Sequence, residues 1–179
     1  MAGNIILIGF MGVGKGRTAR SLAEKTGMFT VDTDDLIESM VNLKIRKIFA
    51  LHGEPFFRKL EQQTADWLRL NVHETVVSTG GGFFKVRKLG KRDTVVYLHA
   101  SVESILEAIQ HHPNAKKKIR KRPLLNEMDK ARSLFKERKP FYRKAADLEI
   151  NVEGMDPESV AEKIIDKLRL ERLSKNRKD

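Results

Sequence analysis

Apolar positions along the chain fall into two rhythms. Ile5-Ile6-Leu7-Ile8 is apolar at every position, which predicts a strand buried on both faces. Thr75-Val76-Val77-Ser78 and Thr94-Val95-Val96-Tyr97-Leu98 predict further strands, and Phe29-Thr30-Val31 a short one. Leu148-Glu149-Ile150-Asn151-Val152 alternates, as an edge strand does. Helical spacing fills the intervals. Thr18, Ala19, Leu22 and Ala23 predict a helix over 18–25, stopped by Gly27. Leu36 to Met40 and Ile45 to Leu51 predict two short helices, the second with Ile45, Ile48 and Phe49 on one side. Gly53-Glu54-Pro55 breaks the pattern. A longer helix then runs from Pro55 to Leu70, with Phe56, Leu60, Thr64 or Ala65, Trp67 and Leu68 as its inner face. Val102–Ile109, Asp129–Arg138 and Pro140–Ala145 are also helical. Asp156 caps a final helix with Pro157 at its first position and Val160, Ile164, Ile165 and Leu168 inside. His111 to Asn126 is polar and broken by Pro113 and Pro123, which predicts an exposed, mobile loop.

Alternating strands and helices predict an α/β fold, a three-layer domain around a parallel sheet. No repeat or linker divides the chain, so one domain is expected over residues 1–172, with a polar tail at 173–179. The length of 179 residues suits that core. No cysteine is present, which excludes disulfides, thiolate metal sites and a thiol nucleophile. No apolar run has the length of a membrane span, and no basic segment leads into a long apolar one at the start. The expectation is a cytoplasmic protein with no membrane partner. A net charge of +11 points to an anionic partner: nucleotide, phosphorylated substrate or nucleic acid. The two basic runs, Lys116 to Arg122 and Lys175 to Lys178, lack the interleaved aromatics that stack bases, which argues against nucleic acid.

Chemistry concentrates after the first strand. Gly9-Phe10-Met11-Gly12-Val13-Gly14-Lys15-Gly16-Arg17 sits between a buried strand and a helix. Glycines there let backbone N–H groups converge on one point, the helix adds its positive end, and Lys15 adds a full charge. The expected occupant is a polyphosphate. The usual loop reads G-x-x-x-x-G-K-[ST], with the last hydroxyl on Mg²⁺. Here Gly16 takes that place. Asp32 and Asp34 follow the second strand, at the sheet edge where ligands bind in open parallel folds. They read equally as a helix cap or as a metal ligand and a proton acceptor. Arg58 can clamp a carboxylate or simply pair with Glu54 or Glu61. Gly80-Gly81-Gly82 after a buried strand suggests close backbone approach to a ligand. The five histidines show no metal-ligand spacing.

Taken together, the motifs resemble the shikimate kinase family. GFMGVGK (Gly9–Lys15), DTD (Asp32–Asp34), IFALHGEPFFRKLE (Ile48–Glu61), STGGG (Ser78–Gly82), RPLL (Arg122–Leu125) and RKPFY (Arg138–Tyr142) stand in the family's order. The resemblance implies a P-loop fold like that of nucleoside monophosphate kinases. Its parallel sheet would have five strands in the order 2-3-1-4-5, with a lid over about 112–126. It implies transfer of the ATP γ-phosphate to the 3-hydroxyl of shikimate, in the chorismate pathway, by a monomer. In that reading Gly12, Val13, Gly14, Lys15, Gly16, Arg17 and Arg122 hold ATP, and Lys15 and Arg122 stabilise the migrating group. Asp34 orients the acceptor hydroxyl and takes its proton. Arg58, Arg138 and the Gly80, Gly81 and Gly82 backbone hold shikimate, and Phe49 and Phe57, with Ile45, Pro123 and Leu124, line its apolar side. Asp32 anchors Mg²⁺ through water.

Two features depart from the family: Gly16 in place of Ser or Thr, and the strongly basic stretch before Arg122. Adenylate kinases also carry glycine after the loop lysine, followed directly by threonine; here Arg17 intervenes before Thr18. Gly16 motivates a second reading, a non-catalytic relative that binds ligand or partner. A gluconate-kinase-like activity is a third, disfavoured by Arg58, Arg138 and the glycine run.

Overall fold

The computed structural model describes residues 3–120 and 123–173. Its strands are β1 (Ile5–Ile8), β2 (Phe29–Asp32), β3 (Thr75–Ser78), β4 (Thr94–His99) and β5 (Leu148–Asn151). They form one sheet in the order β2-β3-β1-β4-β5, and every pairing is parallel. β1 lies at the centre, with Ile6 opposite Val77 on one side and Val95 on the other. That position explains its unbroken apolar run, since all four residues are buried. β5 has one neighbour and alternates, with Ile150 buried and Glu149 and Asn151 exposed.

The helices are α1 (Lys15–Thr26), α2 (Thr33–Val41), α3 (Ile45–Asn71), α4 (Val102–Gln110), α5 (Ala115–Arg120), α6 (Met128–Ala145) and α7 (Pro157–Leu168). The connection from β1 to β2 and the one from β3 to β4 run in opposite directions across the sheet, which for right-handed crossovers puts helices on both faces. α7 packs on α1, and α6 on α4. The main core gathers β1, β3 and β4 with Leu22, Ile105, Tyr142 and Ile164. A smaller one, Ile37, Ile48, Phe57 and Leu60, holds α2 against α3 on both sides of its Gly53 kink.

The break expected at Gly53 is present: its φ of 75° and ψ of 176° are non-helical, and α3 is two helices meeting there at a kink. Other sequence expectations need correction. The buried stripe of the second half of α3 is Phe57, Leu60, Glu61, Thr64, Ala65 and Leu68. Phe56 and Trp67 lie outside that stripe and stay 37% and 47% exposed. A buried carboxylate in the middle of the stripe disguised its phase. α6 passes through Pro140 as one helix; the ring leaves the Lys136 carbonyl without its helical N–H, and neighbouring turns continue. The segment 111–126, expected to be a loop, contains α5 and a 3₁₀ turn at Pro123–Asn126. Leu125 anchors it, 1% exposed. Leu173, at the start of the expected tail, donates its N–H to the Lys25 carbonyl at 2.9 Å. The rest of that tail, 174–179, lies outside the described residues, as does Arg122.

Candidate active site

The carboxyl ends of β1, β2 and β3 deliver three loops to one edge of the sheet. The first is the phosphate loop. Gly14 takes a φ of 112° at the start of α1, a turn that side chains resist. The first turn of α1 has no acidic residue of its own to oppose an anion at its positive end. Lys15 is buried, and its Nζ donates to the carbonyls of Gly9 at 2.8 Å and Phe10 at 3.1 Å. These bonds brace the loop across its own mouth. The N–H groups of Arg17 and Thr18 both reach the Gly14 carbonyl at 2.9 Å. Thr18, one position further along than the threonine of a Gly-Lys-Gly-Thr loop, is buried in α1.

Asp32 caps a helix, one of the readings its sequence allows, and bonds a neighbouring strand. Its Oδ1 accepts the Asp34 N–H at 2.9 Å and caps α2. Its Oδ2 accepts the Ser78 hydroxyl at 2.7 Å. A Cβ built at Gly16 would lie 3.6 Å from Ser78 Oγ, 3.7 Å from Arg20 Nη1 and 3.8 Å from Asp32 Oδ2. Hard oxygen donors therefore face the phosphate loop here, a donor set that fits Mg²⁺ bound together with a nucleotide's phosphates. Among the described residues, no group of three or more His, Asp and Glu forms a separate metal site.

Asp34 points into the space between these loops. Its Oδ1 is buried without a hydrogen-bond partner, and so is Glu61 Oε1. Both converge on Gly80, where a Cβ would lie 2.9 Å from Asp34 Oδ1 and 3.2 Å from Glu61 Oε1. Buried acceptors without donors are costly, so this pair marks the place where a ligand's hydrogen-bond donor belongs. Burial, and then the neighbouring Asp32 charge, pushes Asp34 up to about 7, against the pull of Lys15. Burial also raises Glu61, with Arg58 pulling it back.

Both arginines meet the glycine run. Arg58 donates to Glu54 Oε1 from Nε at 2.9 Å and Nη2 at 2.7 Å, and from Nη1 to Glu61. Its guanidinium lies so close over Gly82 that a Cβ there would come within 2.2 Å of Nη1. The ion-pair reading of Arg58 is correct, and the paired guanidinium also stands beside the glycine run. Arg138 Nη1 donates to the Gly81 carbonyl at 3.1 Å, and the Tyr142 hydroxyl donates to the same oxygen at 2.5 Å. On the apolar side, the Phe57 ring sits 4.7 Å from Phe49 and 5.4 Å from Arg58 Cζ. Gly12 closes the loop's far side, against Ile105, Ile109 and Leu125.

Glu61, Ser78, Tyr142 and Leu125 stand at the site without having been assigned a part in it from sequence. Glu61 was legible as a partner of Arg58, three residues away on a face that reaches the same pocket, but carried no role there. Ser78 ends a strand beside the glycine run, which is the available signal for it. Tyr142 and Leu125 lie inside quoted motifs, but nothing local marks them.

A family model for shikimate kinase matches residues 11–169. The chain belongs to the shikimate kinase family. The shikimate kinase of Helicobacter hepaticus is 39% identical over 91% of this chain and 94% of its own length. That of Sulfurihydrogenibium sp. is 37% identical over 93% and 98%. Among solved structures, shikimate kinase from Acinetobacter baumannii in complex with shikimate superposes with a TM-score of 0.78 at 33% identity, covering 94% of each chain. The Aquifex aeolicus enzyme gives 0.73 at 32% identity, over 93% of this chain and 96% of its own. These matches bear out the expected P-loop fold and an enzyme that phosphorylates shikimate. A kinase of this family draws its phosphoryl group from a nucleotide. No described helix is long and apolar enough to cross a membrane.

Proposed function

We propose that this chain moves the γ-phosphoryl group of ATP to the 3-hydroxyl of shikimate, giving shikimate 3-phosphate and ADP, with Asp34 as the group at the acceptor. The reading rests above all on the Asp34 oxygen, buried and unpartnered beside Gly80, between the phosphate loop and the two arginines. Shikimate brings the two chemistries this space lacks: a hydroxyl to donate to Asp34 and a carboxylate for Arg58 and Arg138. The acceptor oxygen attacks the γ-phosphorus as its proton passes to Asp34, and the bond to the β-phosphate oxygen breaks. A carboxylate raised to about 7 is matched to that proton transfer near neutral pH. Gly12, Val13, Gly14, Gly16 and Arg17 hold the phosphates, while Lys15 and Arg122 meet the charge on the migrating group. Phe49 and Phe57 give the ring its apolar wall, and Gly80, Gly81 and Gly82 let it approach the backbone. Asp32 would anchor Mg²⁺ through water, and the ion would neutralise phosphate charge. The segment 112–126 closes over ATP as a lid and excludes water. The enzyme acts as a cytoplasmic monomer.

A coupled assay with ATP, Mg²⁺ and shikimate tests this. Wild type turns over, and Asp34→Asn loses on the order of 10²–10⁴ in kcat. Pure protein that binds shikimate yet gives only background turnover refutes the kinase reading and leaves the binding-only one.

A further inference from the structure

In phosphate loops the hydroxyl after the lysine gives an oxygen to the nucleotide's divalent cation. This chain has no side chain at that place, yet the space is not chemically empty. We propose that Ser78, reaching across from β3, supplies the missing hydroxyl and holds the cation together with Asp32. The proposal rests on the kinase reading above.

Register makes this reach possible. In the parallel pairing of β2 with β3, Asp32 and Ser78 are direct partners, so their side chains share one face. Ser78 also pairs with Leu7 on β1, two residues before the phosphate loop begins. A hydroxyl has one proton and two lone pairs. The Ser78 proton is committed to Asp32 Oδ2 at 2.7 Å, which leaves its lone pairs as acceptors. That oxygen faces the Cβ position of Gly16 at 3.6 Å, so a serine at 16 would project its own hydroxyl into the same space. A hydroxyl polarised by a carboxylate, with free lone pairs turned toward the phosphate loop, is what the cation requires. Here the hydroxyl comes from a strand end instead of the helix. Arg20 Nη1 lies 3.7 Å from the same point, so a bound cation would have to displace this exposed guanidinium.

The test measures binding, with no turnover involved. Mn²⁺ affinity for the enzyme–ADP complex is read by electron paramagnetic resonance. ADP without metal and shikimate alone are titrated by calorimetry. Ser78→Ala weakens Mn²⁺ about tenfold or more, and leaves metal-free ADP and shikimate affinities unchanged, which also reports an intact fold. Adding Gly16→Ser to Ser78→Ala restores Mn²⁺ affinity, whereas Gly16→Ser in wild type gains little. Ser78→Cys shifts preference in the ADP complex from Mg²⁺ toward Cd²⁺, as a thiolate ligand does. An Mn²⁺ affinity within twofold of wild type in Ser78→Ala overturns the proposal. So does an equal gain from Gly16→Ser in both backgrounds. Absence of a Cd²⁺ preference in Ser78→Cys also overturns it, assigning the effect to Asp32 alone. Wild type that binds neither metal-free ADP nor shikimate refutes the kinase reading instead.

Discussion

Replacing Gly82 with alanine adds one methyl group in the space that Arg58 occupies. The new Cβ would lie 2.2 Å from Arg58 Nη1 and 2.7 Å from both Cζ and Nη2. Neither side yields cheaply. Arg58 is pinned from both edges, by Glu54 and by Glu61, which is itself buried. The backbone raises no objection, because Gly82 has a φ of −111° and a ψ of 1°, which alanine can adopt. Fewer unfolded conformations even favour alanine slightly. The variant therefore folds, and the guanidinium moves. Losing one hydrogen bond to a charged partner costs about 1.5–3 kcal/mol. At about 1.4 kcal/mol per decade, this corresponds to a fall of roughly 10- to 150-fold in kcat/KM for shikimate. The phosphate loop is untouched, so KM for ATP stays near the wild-type value. Steady-state kinetics with each substrate varied in turn, alongside a thermal melt, reads both effects. A folded variant whose kcat/KM for shikimate lies within twofold of wild type refutes the placement of Arg58 on the substrate.

Asp34 carries a stability cost with a definite pH window. Its folded value of about 7 exceeds the ordinary 3.8, so the native state holds this proton more tightly than the unfolded chain. Near pH 3.8 and below there is little penalty; stability then falls as pH rises toward 7, and levels off at a cost of about 4 kcal/mol. In metal-free urea unfolding, Asp34→Asn is accordingly more stable than wild type at pH 8 and about equal at pH 4, and a difference independent of pH counts against this account. Leu125→Ala opens a cavity beside Gly12 and costs about 2–5 kcal/mol in chemical denaturation. It also raises KM for ATP more than KM for shikimate, because the lost contact is with the phosphate loop; equal changes in the two refute that link. Tyr142→Phe removes one of the two donors on the Gly81 carbonyl, lowers stability by about 1 kcal/mol in the same assay, and raises KM for shikimate; an unchanged KM separates that bond from the site.

Much of the fold was legible because burial and period agree. β1, with sheet on both sides, is apolar throughout, and β5, with one neighbour, alternates. The errors arose where a functional or conformational residue interrupts a pattern. Glu61 occupies a core position of α3 because it holds Arg58, and that carboxylate hid the helix phase. Pro140 read as a boundary, although α6 tolerates it. The basic residues of 116–118 masked the anchoring by Leu125. At the site, Asp32, Asp34, Lys15 and the glycine run were visible as local motifs. The double grip on the Gly81 carbonyl was not, since Tyr142 lies 61 residues from it in sequence. Nor was the reason for glycine at 82, which is a side chain 24 positions earlier that folds over it.

The glycines around this pocket are held by different constraints. Gly80 and Gly82 are fixed by space and Gly14 by its backbone angle, so substitution at any of them is punished at once. Gly16 has neither restriction: its neighbours stand at ordinary contact distance and its backbone is helical. A serine at 16 therefore meets no structural penalty, and what glycine withholds there is chemistry alone: the position lacks an oxygen, not a fit.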